Sequence, residues 1–379
     1  MGEKRRKIIY LSGTRADFGL MKSTLQLLAG VADLSVAVTG MHLEPAFGYT
    51  VDEIRAAGLQ VCGELPVDVT TRTPASMSSS VGACLQSLTS LLEKEQPGIL
   101  VVLGDRGEML AGAIAALHLG IVCVHIHGGE RSGTVDEPVR HAISKLATYH
   151  FVATQESQER LLKMGELPAR ICITGAPGLD GILDEAALVS ADDCRRALGL
   201  PAAQPFVLAL FHPVVQQARD AYLQASNLLE ALHQIGLPVV WPEPNSDAGS
   251  AQVVKALEDK GLPPGSRREK HLNRSIFCAV MKHCAVMVGN SSAGIIEAAS
   301  FGTPVVNVGD RQRLRERNDN VVDVAYESHA IRHAVQKVIL HGRWPASNKY
   351  GDGAAGPRIV EKLQCLSLER SVLEKINCY

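Results

Sequence analysis

Residues 99–146 read ILVVLGDRGEMLAGAIAALHLGIVCVHIHGGERSGTVDEPVRHAISKL, and this stretch decides the fold. The apolar run 99–103 predicts a buried parallel strand. The Ala-rich pattern 108–119 predicts a helix that Gly120 ends. A second apolar run, 121–126, predicts the neighbouring strand. Two parallel strands joined by a helix are the repeating unit of an open α/β sheet, so the sequence predicts the α/β class.

Polar residues come directly after both strands, at the edge where open α/β sheets bind ligands. The first strand runs into Gly-Asp-Arg and the second into His-Gly-Gly-Glu. The titratable groups in this apolar setting are Asp105, His127, Glu130, Asp136, Glu137, Arg140 and His141. They are too many for packing alone to explain, and they predict a functional site. A solvated helical ion pair is the alternative for the i,i+4 pairs after residue 135.

The second half of the chain repeats the plan of the first. Residues 286–308 again read as strand, small polar turn, Ala-rich helix, glycine and strand. We therefore predict two Rossmann-like domains, 1–175 and 176–361, that face a central cleft. A C-terminal helix over 362–379 is expected to pack back on the first domain.

Composition excludes several classes of partner. The formal charge is −2 and the one basic run spans residues 4–7, so neither nucleic acid nor an anionic membrane is expected to bind. No apolar run reaches the roughly 18 residues of a membrane span. Nine cysteines show no metal-ligand spacing and suggest reduced thiols. We expect a soluble, cytoplasmic protein without a metal.

Two small polar turns have the character of anion sites. Residues 289–294, GNSSAG, precede a helix whose hydroxyl and N–H groups suit a phosphate, and Glu297 could accept both hydroxyls of a ribose. The alternative makes Glu297 the capping partner of a serine. The turn after the first strand, residues 12–19, likewise offers backbone N–H groups and a helix N-terminus to an anion. Arg15 in that turn and Arg311 are the candidate cations; an ordinary surface ion pair is the alternative for Arg15.

The remaining candidates favour acid–base chemistry. Carboxylates and histidines beside a bound diphosphate suit proton removal from a sugar carbon or activation of water. His42 also follows a strand, although a lone histidine is more often structural. The glycines match neither a dinucleotide fingerprint nor a Walker loop, so redox cofactors and ATP hydrolysis are not expected.

Ordered sequence blocks along almost the whole chain resemble the hydrolysing UDP-N-acetylglucosamine 2-epimerases of the sialic-acid pathway. The blocks are GTRADFG at 13–19, TGMH at 39–42, LGDRGEM at 103–109, HIHGGE at 125–130, DEPVRHAISK at 136–145, FHP at 211–213, NSDAGS at 245–250, GNSSAGIIE at 289–297 and NVGDRQ at 307–312. The resemblance implies the glycosyltransferase-B architecture, a UDP-sugar substrate, no cofactor and a homodimer. It also implies elimination of UDP to a 2-acetamidoglucal, followed by hydration to N-acetylmannosamine.

Site residues are carried over from the same blocks. The catalytic set implied is Asp105, Asp136, His127, Glu130 and His42. The substrate-binding set implied is Arg15, Arg106, His212, Asn245, Ser291, Ser292, Gly294, Glu297 and Arg311. His127 stands where non-hydrolysing relatives and the animal enzymes have a catalytic glutamate, so that role passes to His127 or to Glu130.

Three alternatives stay open at this point. The same chemistry could act on UDP-2,4-diacetamido-2,4,6-trideoxyglucose, a substrate of legionaminic-acid synthesis. A glycosyltransferase on the same fold would release no free sugar without an acceptor. A nucleotide-sugar-binding regulator would have lost turnover, and the intact acidic set argues against it.

Overall fold

The computed structural model describes residues 5–71, 73–133, 135–202, 204–244, 247–270 and 272–378. The chain folds as two units. Of the described residues, the first unit takes those up to Glu130, Asp136–Asp180 and those from Tyr350 onward. The second unit takes Arg131–Val135 and Gly181–Lys349.

The first unit is built on seven parallel strands in the order β3-β2-β1-β4-β5-β6-β7. They are β1 (Lys7–Ser12), β2 (Asp33–Thr39), β3 (Gln60–Leu65), β4 (Ile99–Leu103), β5 (Val122–Ile126), β6 (Tyr149–Val152) and β7 (Ile171–Ile173). The strand order turns back at β1, which pairs with β2 on one side and β4 on the other. This reversal is the place where open α/β sheets open a crevice for ligands.

Helices cover both faces of the first sheet. They are α1 (Arg15–Val31), α2 (Val51–Ala56), α3 (Pro74–Glu95), α4 (Gly107–Leu119), α5 (Asp136–Leu146) and α6 (Gln155–Lys163). Alternate residues of β1 point to opposite faces, so Ile8 joins the core under α1 while Ile9 joins the core under α3 and α4. A strand buried on both faces reads as the continuous apolar run seen in the sequence.

The second unit repeats this design with six parallel strands in the order β10-β9-β8-β11-β12-β13. They are β8 (Val207–Leu210), β9 (Val239–Pro242), β10 (Arg267–Glu269), β11 (Val286–Gly289), β12 (Val305–Val308) and β13 (Val321–Val324). Its helices are α7 (Ile182–Ala187), α8 (Ala191–Ala197), α9 (Ala221–Ile235), α10 (Ser250–Lys260), α11 (Arg274–His283), α12 (Ser292–Ile296) and α13 (Ser328–His341). Two Rossmann-like units with parallel sheets confirm the predicted fold class.

The C-terminal segment differs from the helix predicted over 362–379. Helix α14 (Ala355–Cys365) ends at Cys365 and is followed by a short 3-10 turn, Arg370–Leu373. The Arg6 guanidinium donates to the carbonyl oxygens of Leu363 and Leu366, which have no intrahelical partner where the helix ends. Ile359 and Leu363 pack in the core of the first unit. Within the described residues, no helix combines the length and apolar character needed to span a bilayer.

Candidate active site

The predicted residues of the first unit follow four adjacent strands. Arg15 follows β1, His42 follows β2, Asp105 and Arg106 follow β4, and His127 and Glu130 follow β5. Because all strands are parallel, their carboxyl ends lie along one edge of the sheet. The structure therefore collects these side chains at the edge that includes the β1–β4 reversal.

Asp105 is held by a buried arginine. The Arg140 guanidinium pairs with the Asp105 carboxylate, and its Nη1 donates to the main-chain oxygen of Glu130 at 3.1 Å. The Arg140 side chain is 1% exposed, whereas that of Asp105 is 21% exposed. Arg140 thus joins the turns after β4 and β5, and the Asp105 carboxylate keeps an accessible face.

His127 and Glu130 form a second buried pair. The Nδ1 atom of His127 is hydrogen-bonded to Glu130 Oε1, and the His127 main-chain N–H donates to the Phe151 carbonyl at 3.0 Å. His127 has a φ of 64°, an uncommon conformation for a residue other than glycine. A carboxylate at Nδ1 keeps the proton of a neutral ring on that nitrogen and leaves Nε2 as an acceptor. The pair therefore has the composition of a histidine–carboxylate base.

Asp136 and its neighbours lie at the start of α5. Asp136 is the first residue of the helix and is half-buried. Glu137 Oε1 lies 3.7 Å from His141 Nε2, which is the predicted i,i+4 pair.

Arg106, a residue of the predicted substrate-binding set, lies just before α4. Its Nε is 3.4 Å from Glu108 Oε2 at the start of that helix.

The turn after β1 uses its amides differently from the prediction. The Gly13 and Thr14 N–H groups donate to Asp17 Oδ2 at 3.0 and 2.6 Å, so these two donors serve the protein and not an anion. Thr14 and Asp17 form a capping box that starts α1. Sequence reasoning missed this role, although the T-x-x-D spacing signals it. Arg15 is half-buried, and burial lowers the pKa of its guanidinium while nearby Glu53 opposes that change.

His42 is buried and both of its ring nitrogens have hydroxyl partners. Nε2 lies 2.9 Å from Ser12 Oγ, and Nδ1 lies 2.8 Å from Thr50 Oγ1. The Ser12 hydroxyl in turn donates to the Asp17 carboxylate. Burial lowers the pKa of His42. The observed contacts are those of a structural histidine, and direct contact with a substrate stays a prediction.

Three buried histidines predict loss of stability in acid. Burial lowers the pKa of His42 and His150, and it lowers that of His125 to about 3. Below about pH 6.5 these histidines therefore bind protons in the unfolded chain but stay neutral in the folded chain. We expect the free energy of unfolding to fall by up to about 1.4 kcal/mol per pH unit for each histidine as the pH drops from 6.5. Urea unfolding at several pH values between 7.5 and 5 measures this fall in the free energy of unfolding. His125→Gln should reduce the fall per pH unit. A urea midpoint that stays the same at all these pH values would contradict the expectation.

In the second unit, Asn290 organises the turn after β11. Its Oδ1 accepts from the His212 N–H and its Nδ2 donates to the His212 carbonyl, both at 2.8 Å. β8 and β11 are neighbours in the sheet. The double hydrogen bond therefore brings the turn that contains His212 beside residues 289–294, which we call the serine turn. Sequence reasoning did not assign this role, and the only local signal is an amide in a small polar turn.

The serine turn and Arg311 lie together. Ser291 is the N-cap of α12 and accepts from the Ala293 N–H at 3.4 Å. Arg311 Nη1 and Gln312 Nε2 both donate to the Asn290 carbonyl, at 3.2 and 3.1 Å. Ser291, Ser292 and Arg311 are half-buried. A hydroxyl-rich turn beside a guanidinium can bind an anionic group.

Glu297 has a partner that the sequence did not predict. Its Oε1 accepts from Arg274 Nη1 at 2.7 Å. The alternative is right that a serine, Ser291, is the N-cap of α12, but wrong about Glu297, which lies at the other end of that helix as its C-cap. Gly294 is buried in α12, and a β-carbon there would lie 3.0 Å from Val305 Cγ1. Its absence of a side chain allows α12 to pack closely on β12.

One predicted binding residue, Asn245, lies outside the described residues. Within the described part of the chain, no group of three or more His, Cys, Asp or Glu side chains is placed to hold a metal ion.

Comparison with known proteins gives consistent results. A family described as UDP-N-acetylglucosamine 2-epimerase matches residues 29–364. A hydrolysing UDP-N,N'-diacetylbacillosamine 2-epimerase of Legionella pneumophila is 45% identical over 99% of this chain and 100% of its own. A UDP-N-acetylglucosamine 2-epimerase of Neisseria meningitidis is 34% identical over 92% of this chain and 91% of its own.

Solved structures agree at the level of the fold. The N. meningitidis UDP-GlcNAc 2-epimerase bound to UDP-GlcNAc has a TM-score of 0.79 at 19% identity and covers 94% of this chain and 99% of that chain. A Staphylococcus aureus MnaA–UDP structure has a TM-score of 0.80 at 20% identity and covers 95% of this chain and 96% of that chain. The resemblance seen in the sequence blocks is confirmed: the chain belongs to the UDP-N-acetylglucosamine 2-epimerase family.

Proposed function

We propose that the chain is a hydrolysing UDP-sugar 2-epimerase whose substrate is UDP-2,4-diacetamido-2,4,6-trideoxyglucose, also called UDP-N,N'-diacetylbacillosamine. The choice of sugar rests on the 45% identity, over both full lengths, to the L. pneumophila protein of that description. UDP-N-acetylglucosamine is the second candidate, supported by the 34% identity to the N. meningitidis protein. Both sugars carry the 2-acetamido group and differ at C4 and C6, so one mechanism serves either.

The proposed reaction has two steps. In the first, a base removes the C2 proton and the C1–O bond breaks, releasing UDP and leaving a 2-acetamidoglucal. In the second, water adds its oxygen to C1 and a proton is delivered to the opposite face of C2. The products are the free 2-epimeric sugar and UDP. The C2 proton is weakly acidic, so its removal needs a well-placed base and a stabilised leaving group.

We assign proton transfer to the first unit. Asp105, Asp136 and the His127–Glu130 pair are the candidate acid–base groups: Asp105 follows β4, the pair follows β5, and Asp136 begins the next helix, α5. The Arg140 guanidinium pairs directly with the Asp105 carboxylate and holds it in place. His127 Nε2, with Nδ1 committed to Glu130, has the protonation pattern of a general base.

We assign UDP recognition to the second unit. The serine turn offers two hydroxyl groups, and the Arg311 guanidinium offers charge to the diphosphate. The ribose contact assigned to Glu297 is compatible with its ion pair to Arg274, since a carboxylate can accept several hydrogen bonds. Arg15 and Arg106 of the first unit are assigned to substrate as well.

Incubation with each UDP-sugar in deuterated water tests the reaction and the substrate together. The expected result is UDP and a free sugar that carries one deuterium at C2, formed faster from the diacetamido sugar. Faster turnover of UDP-N-acetylglucosamine would transfer the assignment to the second candidate. Release of sugar only when an acceptor is supplied would favour a glycosyltransferase, and no UDP release from either sugar would refute the proposal.

A matched pair of arginine variants tests the UDP site. Arg311→Ala is expected to weaken UDP binding by about 2 kcal/mol, because a hydrogen bond between charged groups is lost. Arg313→Ala removes the same charge from an exposed position two residues away and should leave UDP affinity close to that of the unmodified chain. Calorimetric titration with UDP gives both values. Equal affinities of the two variants would show that Arg311 does not bind the nucleotide.

A further inference from the structure

His125 is a buried titratable residue to which the proposed mechanism gives no role. It lies in β5 with no solvent exposure. Its Nε2 is 2.7 Å from the Gly104 carbonyl oxygen, and its Nδ1 is 3.0 Å from Ser144 Oγ. Since a carbonyl oxygen can only accept, Nε2 carries the proton and Nδ1 accepts from the serine hydroxyl. Burial lowers the pKa of His125 to about 3, so the ring is neutral near pH 7.

The carbonyl that His125 binds belongs to the peptide bond leading into Asp105. Gly104 has a φ of +81°, and its N–H donates to the Ile126 carbonyl at 3.0 Å. Glycine has more backbone freedom than any other residue, so its own conformational preference does not fix the direction of the chain here. With the N–H and the carbonyl of Gly104 both bound to β5, the direction of the backbone entering Asp105 is set.

Ser144, the other partner of His125, lies on the same helix as the arginine that binds the Asp105 carboxylate. Ser144 lies four residues after Arg140 on α5, and these positions share one helix face. Arg140 binds the Asp105 side chain, while Ser144 orients the imidazole that binds the main chain before Asp105. A β-carbon at Gly128 would lie 3.0 Å from both His125 Nδ1 and Ser144 Oγ, so the contact is closely packed.

We propose that His125 is a positioning residue for Asp105, acting through its hydrogen bond to the Gly104 carbonyl. The imidazole neither touches the substrate nor transfers a proton. It fixes the direction of the backbone from which the Asp105 side chain projects, while Arg140 fixes the position of the carboxylate. This inference rests on the proposed function, in which Asp105 is an acid–base group.

Two amide variants separate the two hydrogen bonds. Glutamine places an amide where Nε2 stands and can still donate to the Gly104 carbonyl. Asparagine reaches only the place of Nδ1, so it keeps a partner for Ser144 and loses the Gly104 bond. His125→Gln is therefore expected to keep most of kcat, and His125→Asn to lose on the order of 100-fold, the scale of a small misplacement of a catalytic group.

The accompanying measurements distinguish positioning from general destabilisation. KM should be similar in both variants, because the serine turn and Arg311, which are assigned to UDP, lie in the second unit. Thermal melting should show two comparably folded proteins. Ser144→Ala keeps the Gly104 bond and should retain most of kcat. Equal kcat values for His125→Asn and His125→Gln, at equal melting temperatures, would overturn the inference.

A fourth variant keeps the test decisive if neither His125 variant folds. Gly128→Ala pushes a methyl group against the ring and is expected to lower kcat with KM unchanged. An unchanged kcat in Gly128→Ala would overturn the inference. If the unmodified chain releases no UDP from either UDP-sugar, the proposed function itself fails, and the inference fails with it.

Discussion

Asp105→Asn and Asp136→Asn are each expected to slow UDP release by about 100- to 10,000-fold, the contribution of a positioned general acid or base. An amide is isosteric with the carboxyl group but cannot take up a proton at neutral pH. Asp105→Asn still offers Arg140 an oxygen acceptor, so the turn after β4 should keep its place. Steady-state UDP release and deuterium incorporation at C2 measure the effect.

The controls for these variants separate chemistry from binding and folding. UDP affinity should stay close to that of the unmodified chain, because neither aspartate belongs to the groups assigned to the nucleotide. Glu137→Gln makes the same chemical change one residue after Asp136, where the side chain pairs with His141. It is expected to keep most of the activity. Normal turnover in both aspartate variants would refute the acid–base assignment.

Glu166→Gln is expected to destabilise the first unit by roughly 3 kcal/mol, because it removes the buried carboxylate charge that pairs with two half-buried lysines. Glu166 is fully buried and binds three partners. Oε1 accepts from Lys145 at 2.7 Å; Oε2 accepts from His150 at 2.9 Å and from Lys375 at 2.7 Å. Lys375 lies near the C-terminus, so the variant should also loosen that segment. Urea unfolding at pH 7 measures the loss.

An exposed ion pair provides the matched control for Glu166. Asp259→Asn breaks the pair with Lys255 on α10, where both side chains are largely exposed, and should leave the free energy of unfolding close to that of the unmodified chain. Burial by itself raises the pKa of Glu166, but the bonds from His150, Lys145 and Lys375 bring it down to about 2. Its contribution is therefore present above about pH 4.5 and is lost as the pH falls towards 2. Equal unfolding energies for Glu166→Gln and Asp259→Asn would contradict the expectation.

Some features of the fold escaped sequence reasoning for a common reason. Strands β3, β10 and β13 were not predicted; β10 reads RRE and β3 carries a glutamine, a glycine and a glutamate. All three lie at sheet edges, where one side lacks a neighbouring strand. β3 and β10 are poor in apolar residues and β13 has only four residues, so each strand forms because a neighbouring strand pairs with it. Local hydrophobic pattern cannot reveal a partner that is distant in the chain.

The sequence by itself determined the α/β class, the two repeated halves and the fact that the candidate residues follow strand ends. These features depend on short-range patterns: apolar runs, helical spacing, and glycines at the turns. It also contained the Thr14–Asp17 capping box, which needs only a spacing of three residues.

Only the tertiary structure decided which of these groups meet. It paired Asp105 with Arg140, His212 with Asn290 and Glu297 with Arg274, and it gave His42 two hydroxyl partners inside the protein. Such pairs depend on the order of strands in each sheet and on the register of the helices packed against them. Residues far apart in the chain become neighbours only after the sheet has formed, so no local pattern specifies them.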